Sequence, residues 1–568
     1  LTGGLFKEFA FTMAGSVIIS GVIALTLSPM MCSKLLRADS SQGRFSRFLD
    51  RRFEGLKNWY GRRLGRVLLF RPVVVMVAAV VLGSCVFLYT STQKELAPTE
   101  DQGAIFMLLK SPQHANLDYL EKFSTQLGTI LEKVPEYANF FLINGTPTVN
   151  QGIAGILLKP WGDRSRSQAQ VLASLQPKLN TVAGIQILAF PLPSLPGSPG
   201  GPPVQFVIKT TADYRTLYRV LQQLQTAAYQ SGLFVFVDSD LKFNNPQLKV
   251  SIDRAKANEI GITMQDIGIA LSTMYGGNYT NRFSLLGRSY QVIPQVPRDF
   301  RLNPDSINDI YVRTKGGSLV SLATVTNSTR TIQPNALTTF QQLNSATIQA
   351  VMFPGRSLGE GLDFLRTKAQ ELFPEGFSYD YQGESRQLVS EGDTLAIAFG
   401  FAMIVIFLVL AAQFESFRDP LIILISVPMS IAGALIPMNL GLATVNIYTQ
   451  VGLVTLIGLI SKHGILMVEF ANQLQAQEGL DRREAIQKSA SIRLRPILMT
   501  TAAMVVAMVP LLIASGAGAK SRFDIGLVIA AGMTIGTMFT LFVVPTIYTY
   551  LAGDHRPAEP EATPAPAG

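Results

Sequence analysis

Lys462 and His463 stand side by side in GLISKHGILMVEF, residues 458–470, near the middle of an apolar run long enough to cross a bilayer. A charge at that depth costs roughly 2.5–3.5 kcal/mol on insertion scales, and such groups mostly face a bundle interior, pair with a partner and mark an ion or substrate path. A carboxylate at matching depth is the partner to look for, and this sequence offers none. Glu415 and Asp419 fall at the cytoplasmic end of their segment, Asp524 at the outer end of the last one, and Glu469 about two turns below Lys462. Two readings follow. Either apolar surroundings keep Lys462 uncharged, or its acidic partners belong to a part of the protein outside this chain; we take the second. A basic residue without its acid is then half of a proton relay, in which carboxylate protonation breaks and remakes a buried ion pair. The plainer alternative is a structural lysine that snorkels or bonds carbonyls. Thr500 and Thr501, in ILMTTAAM, are placed to offer hydroxyls to such a relay, although threonines in membrane helices usually bond their own backbone.

Other chemistry finds little footing. His114, His463 and His555 are scattered without ligand spacing, and Cys32 and Cys85 both lie in apolar stretches, so neither a zinc cluster nor a disulfide framework is expected. GAGAKS, 516–521, resembles a phosphate loop but carries Ala519 where the glycine before the lysine is required. Met107, Met264, Met274 and Met352 form no soft-metal cluster. No cofactor, ATP or metal is expected, and no enzyme activity.

The elements that must position Lys462 are membrane helices. The chain is 48% hydrophobic and 15% charged, well below the ~25% charged share of a soluble domain. It opens on Leu-Thr-Gly-Gly and reads as a piece of a longer polypeptide. Seven segments have the ~20 apolar residues a span needs: 11–36, 72–91, 394–412, 421–440, 450–472, 497–515 and 524–551. Basic residues orient them. Arg44, Arg47, Arg51, Arg52, Lys57, Arg62, Arg63, Arg66 and Arg71 crowd the first connection, and Arg482, Arg483, Lys488, Arg493 and Arg495 the one after the fifth span. With those loops cytoplasmic, residues 92–393 lie outside and a disordered tail, 552–568, lies inside. The formal charge of +9 is therefore assigned to lipid rather than to nucleic acid. Within 37–71, Phe45, Phe48, Leu49, Phe53, Leu56 and Trp59 recur at helical spacing opposite the arginines, as in an amphipathic helix on an anionic leaflet. A helix docked on protein is the alternative.

The exterior region alternates strand and helix signals. GAIFMLLK, a helix over 115–133, YANFFLI, GIAGILLK, a helix over 165–180 and GIQILAF give β-α-β-β-α-β, the ferredoxin-like unit, over 92–194. PLPSLPGSPGGPP, 191–203, is a stiff connector. A second copy follows in two halves, 195–246 and 332–393, split by an inserted subdomain at 247–331. The expected fold is a polytopic helical membrane bundle plus an exterior α/β region of two such units.

LSPMMC (27–32), LAPTEDQG (96–103), NPQLKV (245–250), AAQFESF (411–417), VGLVTLIGLISKHGILMVEFA (451–471) and RLRPILMT (493–500) together resemble the C-terminal half of a resistance-nodulation-division (RND) efflux pump of the hydrophobe/amphiphile branch. The resemblance implies proton-driven export of amphiphilic small molecules from the inner membrane, with a periplasmic α/β region. It implies a homotrimer joined to a periplasmic adaptor and an outer-membrane channel. Lys462 matches the relay lysine, Thr500 the relay threonine and Arg493 an arginine at the cytoplasmic mouth of the proton path, with the paired aspartates in the other half. The two α/β units match porter subdomains and the insertion a docking subdomain. In the pocket region FFLINGTPTVNQGIAGILL, Phe141, Ile143 and Asn144 match, while Thr146, Thr148 and Gly155 stand where further phenylalanines are typical. Phe190 and Leu192 match an outer entry pocket. Fewer aromatics imply a narrower or differently shaped substrate range; on the plainer reading Phe141 and Phe190 are core. A membrane-anchored sensor, a metal-ion exporter and a lipid or protein exporter are the competing functions.

Overall fold

Apolar composition dictates α1 (Thr2–Leu35) and α3 (Arg71–Ser91), whereas α2 (Arg44–Val67) between them is amphipathic. The computed structural model describes residues 2–35, 44–195 and 201–556. Parts of the linker expected at 37–71, the connector at 191–203 and the tail at 552–568 lie outside them. Helix α2 is polar along one side and docks by the other. Tyr60, Leu64 and Leu68, at a spacing of four, are buried, and the Tyr60 hydroxyl donates to Leu541 O at 2.5 Å. Phe48, Leu56 and Trp59 stay exposed, with Arg52 over Phe48 and Arg63 over Trp59.

The exterior region begins with β1 (Ala104–Lys110), α4 (Leu117–Leu131), β2 (Tyr137–Asn144), β3 (Gln151–Leu158), α5 (Gln168–Leu179) and β4 (Gln186–Pro191). The strands form an antiparallel sheet in the order β2-β3-β1-β4. Ile105, Met107, Leu109, Ala154, Ile156 and Ala189 share one core with Leu120, Leu127, Val171 and Leu175 of the two helices. Alternate residues of the same strands must then project from the opposite face. Asp101 fastens the start of α5: its carboxylate accepts from Gln168 N at 2.6 Å and pairs with Arg164 at 2.7 Å.

The next elements, β5 (Val204–Thr210), α6 (Tyr214–Gln230) and β6 (Phe234–Ser239), belong to the same compact unit. A second unit follows, compact by itself over Asp240–Thr338 together with Pro112–Asn116. It holds β7 (Asn245–Ile252), α7 (Arg254–Ile260), α8 (Met264–Met274), β8 (Asn281–Leu285), β9 (Arg288–Val292), α9 (Arg298–Arg301), β10 (Tyr311–Arg313), β11 (Leu319–Ser321) and β12 (Thr326–Gln333). Its core gathers Ala257, Ile262, Ile267, Ile310, Val312 and Leu322. The chain then returns through β13 (Thr338–Phe340), β14 (Leu343–Met352), α10 (Leu358–Leu372) and β15 (Phe377–Tyr381). In the second sheet β14 pairs with both β5 and β6, and β5 with β15, repeating the strand order of the first.

The membrane bundle closes with α11 (Gly383–Phe414), α12 (Arg418–Leu424), α13 (Ser426–Asn439), α14 (Ile447–Glu478), α15 (Arg482–Leu512) and α16 (Ala519–Leu551). Among the described residues, seven stretches are long and apolar enough to cross a membrane, including Lys7–Leu35, Arg71–Ser91, Ile397–Phe414 and Arg418–Asn439. The span expected at 421–440 is broken at Ile425 into α12 and α13. Several helices outrun their apolar windows by one or more polar turns, because backbone hydrogen bonding does not stop where hydropathy does.

The bundle meets the α/β region through residues 93–100. A short parallel pairing joins Lys94 to Val445, and Glu95 N donates to Val445 O at 3.1 Å. The Glu95 carboxylate accepts from Thr444 Oγ1, and Glu100 accepts from Ser521 N at 2.6 Å, capping the start of α16. Burial pushes Glu95 up to about 7, and burial with the nearby Glu95 charge pushes Glu384, at the start of α11, up to about 7. A raised carboxyl binds protons in the folded state that the unfolded chain has released. Its stabilisation is therefore complete below the usual Glu range and is lost as pH rises through about 7. Glu384→Gln removes that loss. In thermal unfolding of the full-length protein the variant is expected to melt above wild type at about pH 8 and level with it at about pH 5. An equal difference at both pH values would show that the pair does not titrate.

Candidate functional site

Helix α14 is fixed at both ends. Asn446 accepts from Tyr448 N and Thr449 N, and the Thr449 side chain bonds back to Asn446 N; Gly479, at φ +68°, ends the helix in the left-handed region. Between them Lys462 lies about 22 Å from the first helical residue at 1.5 Å per residue. Its side chain is exposed on this chain, and among the described residues it forms no hydrogen bond or ion pair. The adjacent His463 is 1% exposed and points into the bundle. The helix thus turns one ionisable group inward and the other away from its own chain.

The other two relay candidates sit on α15. Thr500 is half-buried, and its hydroxyl donates to Pro496 O and Ile497 O, both at 3.0 Å. No hydrogen bond joins it to Lys462 among the described residues. Arg493 stacks its guanidinium on Phe470 of α14, 4.4 Å from the ring centre, which places it two turns below Lys462. Its Nε is buried without a partner among the described residues. Arg493 and Lys462 therefore mark two levels of one helix face system, while Thr500 stays on its own backbone.

Two arrangements escaped the reading of the sequence. His463 lies between Thr501 of α15 and Thr537 of α16: Nε2 is 3.4 Å from Thr501 Oγ1, and Nδ1 is 3.4 Å from Thr537 Oγ1. The signal was an apolar-flanked histidine, which metal-ligand spacing does not detect. At the basic end of the bundle, Asn472 Nδ2 donates to the buried Asp419 Oδ2 at 3.1 Å. The Tyr548 hydroxyl donates to Asn472 Oδ1 at 2.6 Å, and Gln475 Nε2 donates to that hydroxyl's oxygen at 2.5 Å. This network ties α12, α14 and α16 together.

Of the expected substrate residues, Phe141, Ile143 and Phe190 project from the sheet face away from α4 and α5. Registers Phe141↔Gly155, Phe106↔Gly155 and Phe106↔Phe190 put these four in one row across β2, β3, β1 and β4. The next row on that face holds Ile143, Ile153, Leu108 and Leu188. Phe141 packs edge-on to Phe106 with ring centres 5.5 Å apart, and its ring lies over Gly155, where an added Cβ would come within 2.5 Å of it. Phe106 was missed because the alternation in GAIFMLLK identifies a strand without saying what lies beside it. Ile143 is 50% exposed; Phe190 is only 5% exposed. Asn144 donates from Nδ2 to Ser124 Oγ at 2.9 Å, leaving its buried Oδ1 without a partner among the described residues. Thr146 and Thr148 lie exposed in the turn, where Thr148 Oγ1 donates to Asn150 Oδ1 at 2.8 Å, and Leu192 is half-buried just past β4. Phe141, Ile143 and Phe190 thus share one face, Thr146 and Thr148 lie in the adjoining turn, and Asn144 points to the opposite face, toward α4.

A model of the AcrB/AcrD/AcrF family matches residues 1–552. An uncharacterized transporter of Haemophilus influenzae is 43% identical over 563 residues, covering 98% of this chain and 55% of that protein. The multidrug export protein AcrF of Escherichia coli is 29% identical over 568 residues, covering 97% and 55%. The multidrug/solvent efflux pump membrane transporter MepB of Pseudomonas putida is 28% identical over 581 residues, covering 100% and 55%. The chain spans about half the length of the curated relatives it matches. With a family model matched over nearly its whole length, membrane-capable helices and a large α/β region, this chain belongs to the AcrB/AcrD/AcrF family of RND transporters and is an inner-membrane protein whose α/β region is periplasmic.

Proposed function

We propose that this chain is the C-terminal half of a proton-driven exporter of hydrophobic or amphiphilic compounds, the inner-membrane component of a tripartite pump. The observation that carries the reading is Lys462: a mid-membrane ammonium turned away from its own bundle and without an acidic partner among the described residues. Such a group is useful where carboxylates from another segment approach, release it on protonation and recapture it on deprotonation. Arg493 and Thr500 serve the same path, the first toward the cytoplasmic mouth and the second through its hydroxyl. Relatives named for multidrug export and for multidrug and solvent efflux support the substrate class.

In this reading the α/β units are ferredoxin-like porter subdomains, 92–194 and 195–246 with 332–393, and the insertion at 247–331 is the docking subdomain. The working assembly is a homotrimer with a periplasmic adaptor and an outer-membrane channel. The two apolar rows around Phe141, Phe106 and Ile143 form the substrate face, bordered at the turn by Thr146 and Thr148, with Asn144 behind it holding the end of β2 to α4 and with Phe190 and Leu192 toward the entry. Two aromatic rings side by side offer broad contact without fixed hydrogen-bond geometry, which suits amphiphiles of varied shape.

The test uses the full-length protein in a host lacking other pumps. Export of a fluorescent amphiphile is expected to stop when the proton gradient is collapsed at constant ATP. Phe141→Ala is expected to lower export of bulky aromatic dyes about tenfold, the effect of about 1.4 kcal/mol of lost ring contact, while sparing small solvents. Export that survives gradient collapse would refute proton coupling, and an unchanged range in Phe141→Ala would refute the substrate face.

A further inference from the structure

Along β1, Leu108 and then Lys110 share the face of Phe106, because alternate side chains of a strand point the same way. Register sets Gln151 of β3 and Gln186 of β4 on either side of Lys110. The face therefore changes character along its length. Its two apolar rows give way to a polar row, an ammonium between two amides. Successive rows on one face lie about 6.6 Å apart, so about 13 Å separates the Phe106 row from the Lys110 row.

The Lys110 ammonium reaches across to the second sheet. Nζ lies 2.9 Å from Asp238 Oδ2 of β6, 3.5 Å from Gln349 Oε1 of β14 and 5.8 Å from the centre of the Phe236 ring. Asp238 and Gln349 stand directly opposite one another across β6 and β14, so they share a face of their sheet. A carboxylate, an amide oxygen and an aromatic ring are together the surroundings that hold an ammonium group. The two ends of the ion pair differ in freedom. Asp238 is short, buried and fixed to a paired strand. Lys110 is half-buried and carries its charge on a flexible four-carbon stem. It can swing into water and keep its charge solvated, whereas the carboxylate cannot withdraw. Exchange at this place therefore replaces one cation by another.

We propose that Asp238, with Gln349 and Phe236, is the headgroup subsite of the substrate face, that its ligands are amphiphiles with one ammonium head and an apolar body about 13 Å long, and that Lys110 is the resident cation they displace. The proposal rests on the substrate face assigned above and names the class of molecule that fits it. With its body across the Leu108 and Phe106 rows, the ligand sets its ammonium where that of Lys110 lies. A neutral head forms no ion pair there, and a carboxylate head meets Asp238 with like charge. Because one ion pair is exchanged for another, the net gain comes from burying the body. Lys110 thus acts as a filter that a small cation without an apolar body does not pass.

The deciding experiment measures displacement of a fluorescent amphiphile from full-length protein in nanodiscs of zwitterionic lipid. The probes share one ten-carbon chain: n-decylammonium, n-decanol and n-decanoate, at about pH 7, where the first is a cation and the last an anion. Each probe is compared with itself across variants, which cancels its partition into lipid. Lys110→Met removes the resident charge and is expected to strengthen decylammonium about tenfold, the size of one hydrogen bond to a charged group, with decanol unchanged. Adding Asp238→Asn to Lys110→Met is expected to reverse that gain, again with decanol unchanged. Where Lys110→Met fails to fold, Lys110→Gln, which can still donate to Asp238, takes its place with the same expectation. A gain for decylammonium that survives Asp238→Asn overturns the proposal, as does a Lys110→Met protein that binds the three probes as wild type does. A purely structural ion pair gives that last pattern, with a lowered melting temperature and unchanged head selectivity. Failure of the substrate face looks different: decanol displacement that ignores Phe141→Ala removes the face, and the headgroup subsite with it.

Discussion

Lys462→Ala in the full-length protein is expected to abolish gradient-driven export, at least about a hundredfold below wild type, while leaving expression and melting temperature unchanged. The two halves of that expectation have one cause. The ammonium makes no hydrogen bond or ion pair among the described residues, so truncating it breaks no contact of this chain. In the full-length protein its partners in this reading are carboxylates that take up protons as part of the relay, so once the ammonium is gone they protonate rather than remain as unpaired charges, and the bundle keeps its stability. A structural lysine would behave in the opposite way, losing stability first and export only as a consequence. Lys462→Arg sharpens the contrast. Its charge is retained, but the guanidinium is planar, bulkier and permanently protonated, so it is expected to fail as well. Measuring dye accumulation beside thermal unfolding separates the cases, and full export by Lys462→Ala would end the relay reading.

What the sequence made legible follows from how local each signal is. Spans could be located because twenty apolar residues in a row have few other uses, and the helices at Leu117–Leu131 and Gln168–Leu179 could be placed within two or three residues from 3.6-residue periodicity. Lys462 was legible for the same reason, a charge being conspicuous against an apolar background. The break at Ile425 was not, because the residues on either side of it are equally apolar. Relations across the chain were out of reach. Phe141, Gly155, Phe106 and Phe190 share a row only once three strand registers are set, and register is a property of pairs of strands. His463 finds its partners 38 and 74 residues away, and nothing near it in sequence announces them. Glu95 and Glu384 influence one another only because the first exterior residues return to the start of α11.

The close approach of α13 and α16 carries the second large effect. Ser430 of α13 donates from Oγ to Gly532 O of α16 at 2.8 Å, a contact that requires the two backbones to lie side by side. One turn on, a Cβ added to Gly536 would fall 2.6 Å from Ser430 Oγ and 2.8 Å from its Cα. The second of these is backbone, and no rotamer change relieves it. At Gly532 an added Cβ would strike the Leu456 side chain of α14 at 2.3 Å. Small residues let membrane helices touch where lipid supplies no hydrophobic drive for association, so the seam holds by contact and hydrogen bonding alone. Gly536→Ala is accordingly expected to destabilise the bundle by about 1–3 kcal/mol, the usual range for overpacking, read as a drop of several degrees in the melting temperature of the detergent-solubilised full-length protein. Gly532→Ala is expected to cost less, because its first obstacle is a side-chain end that can swing. If Gly536→Ala melts with wild type, α13 and α16 do not lie this close, and the placement of Thr537 against the imidazole falls with the seam.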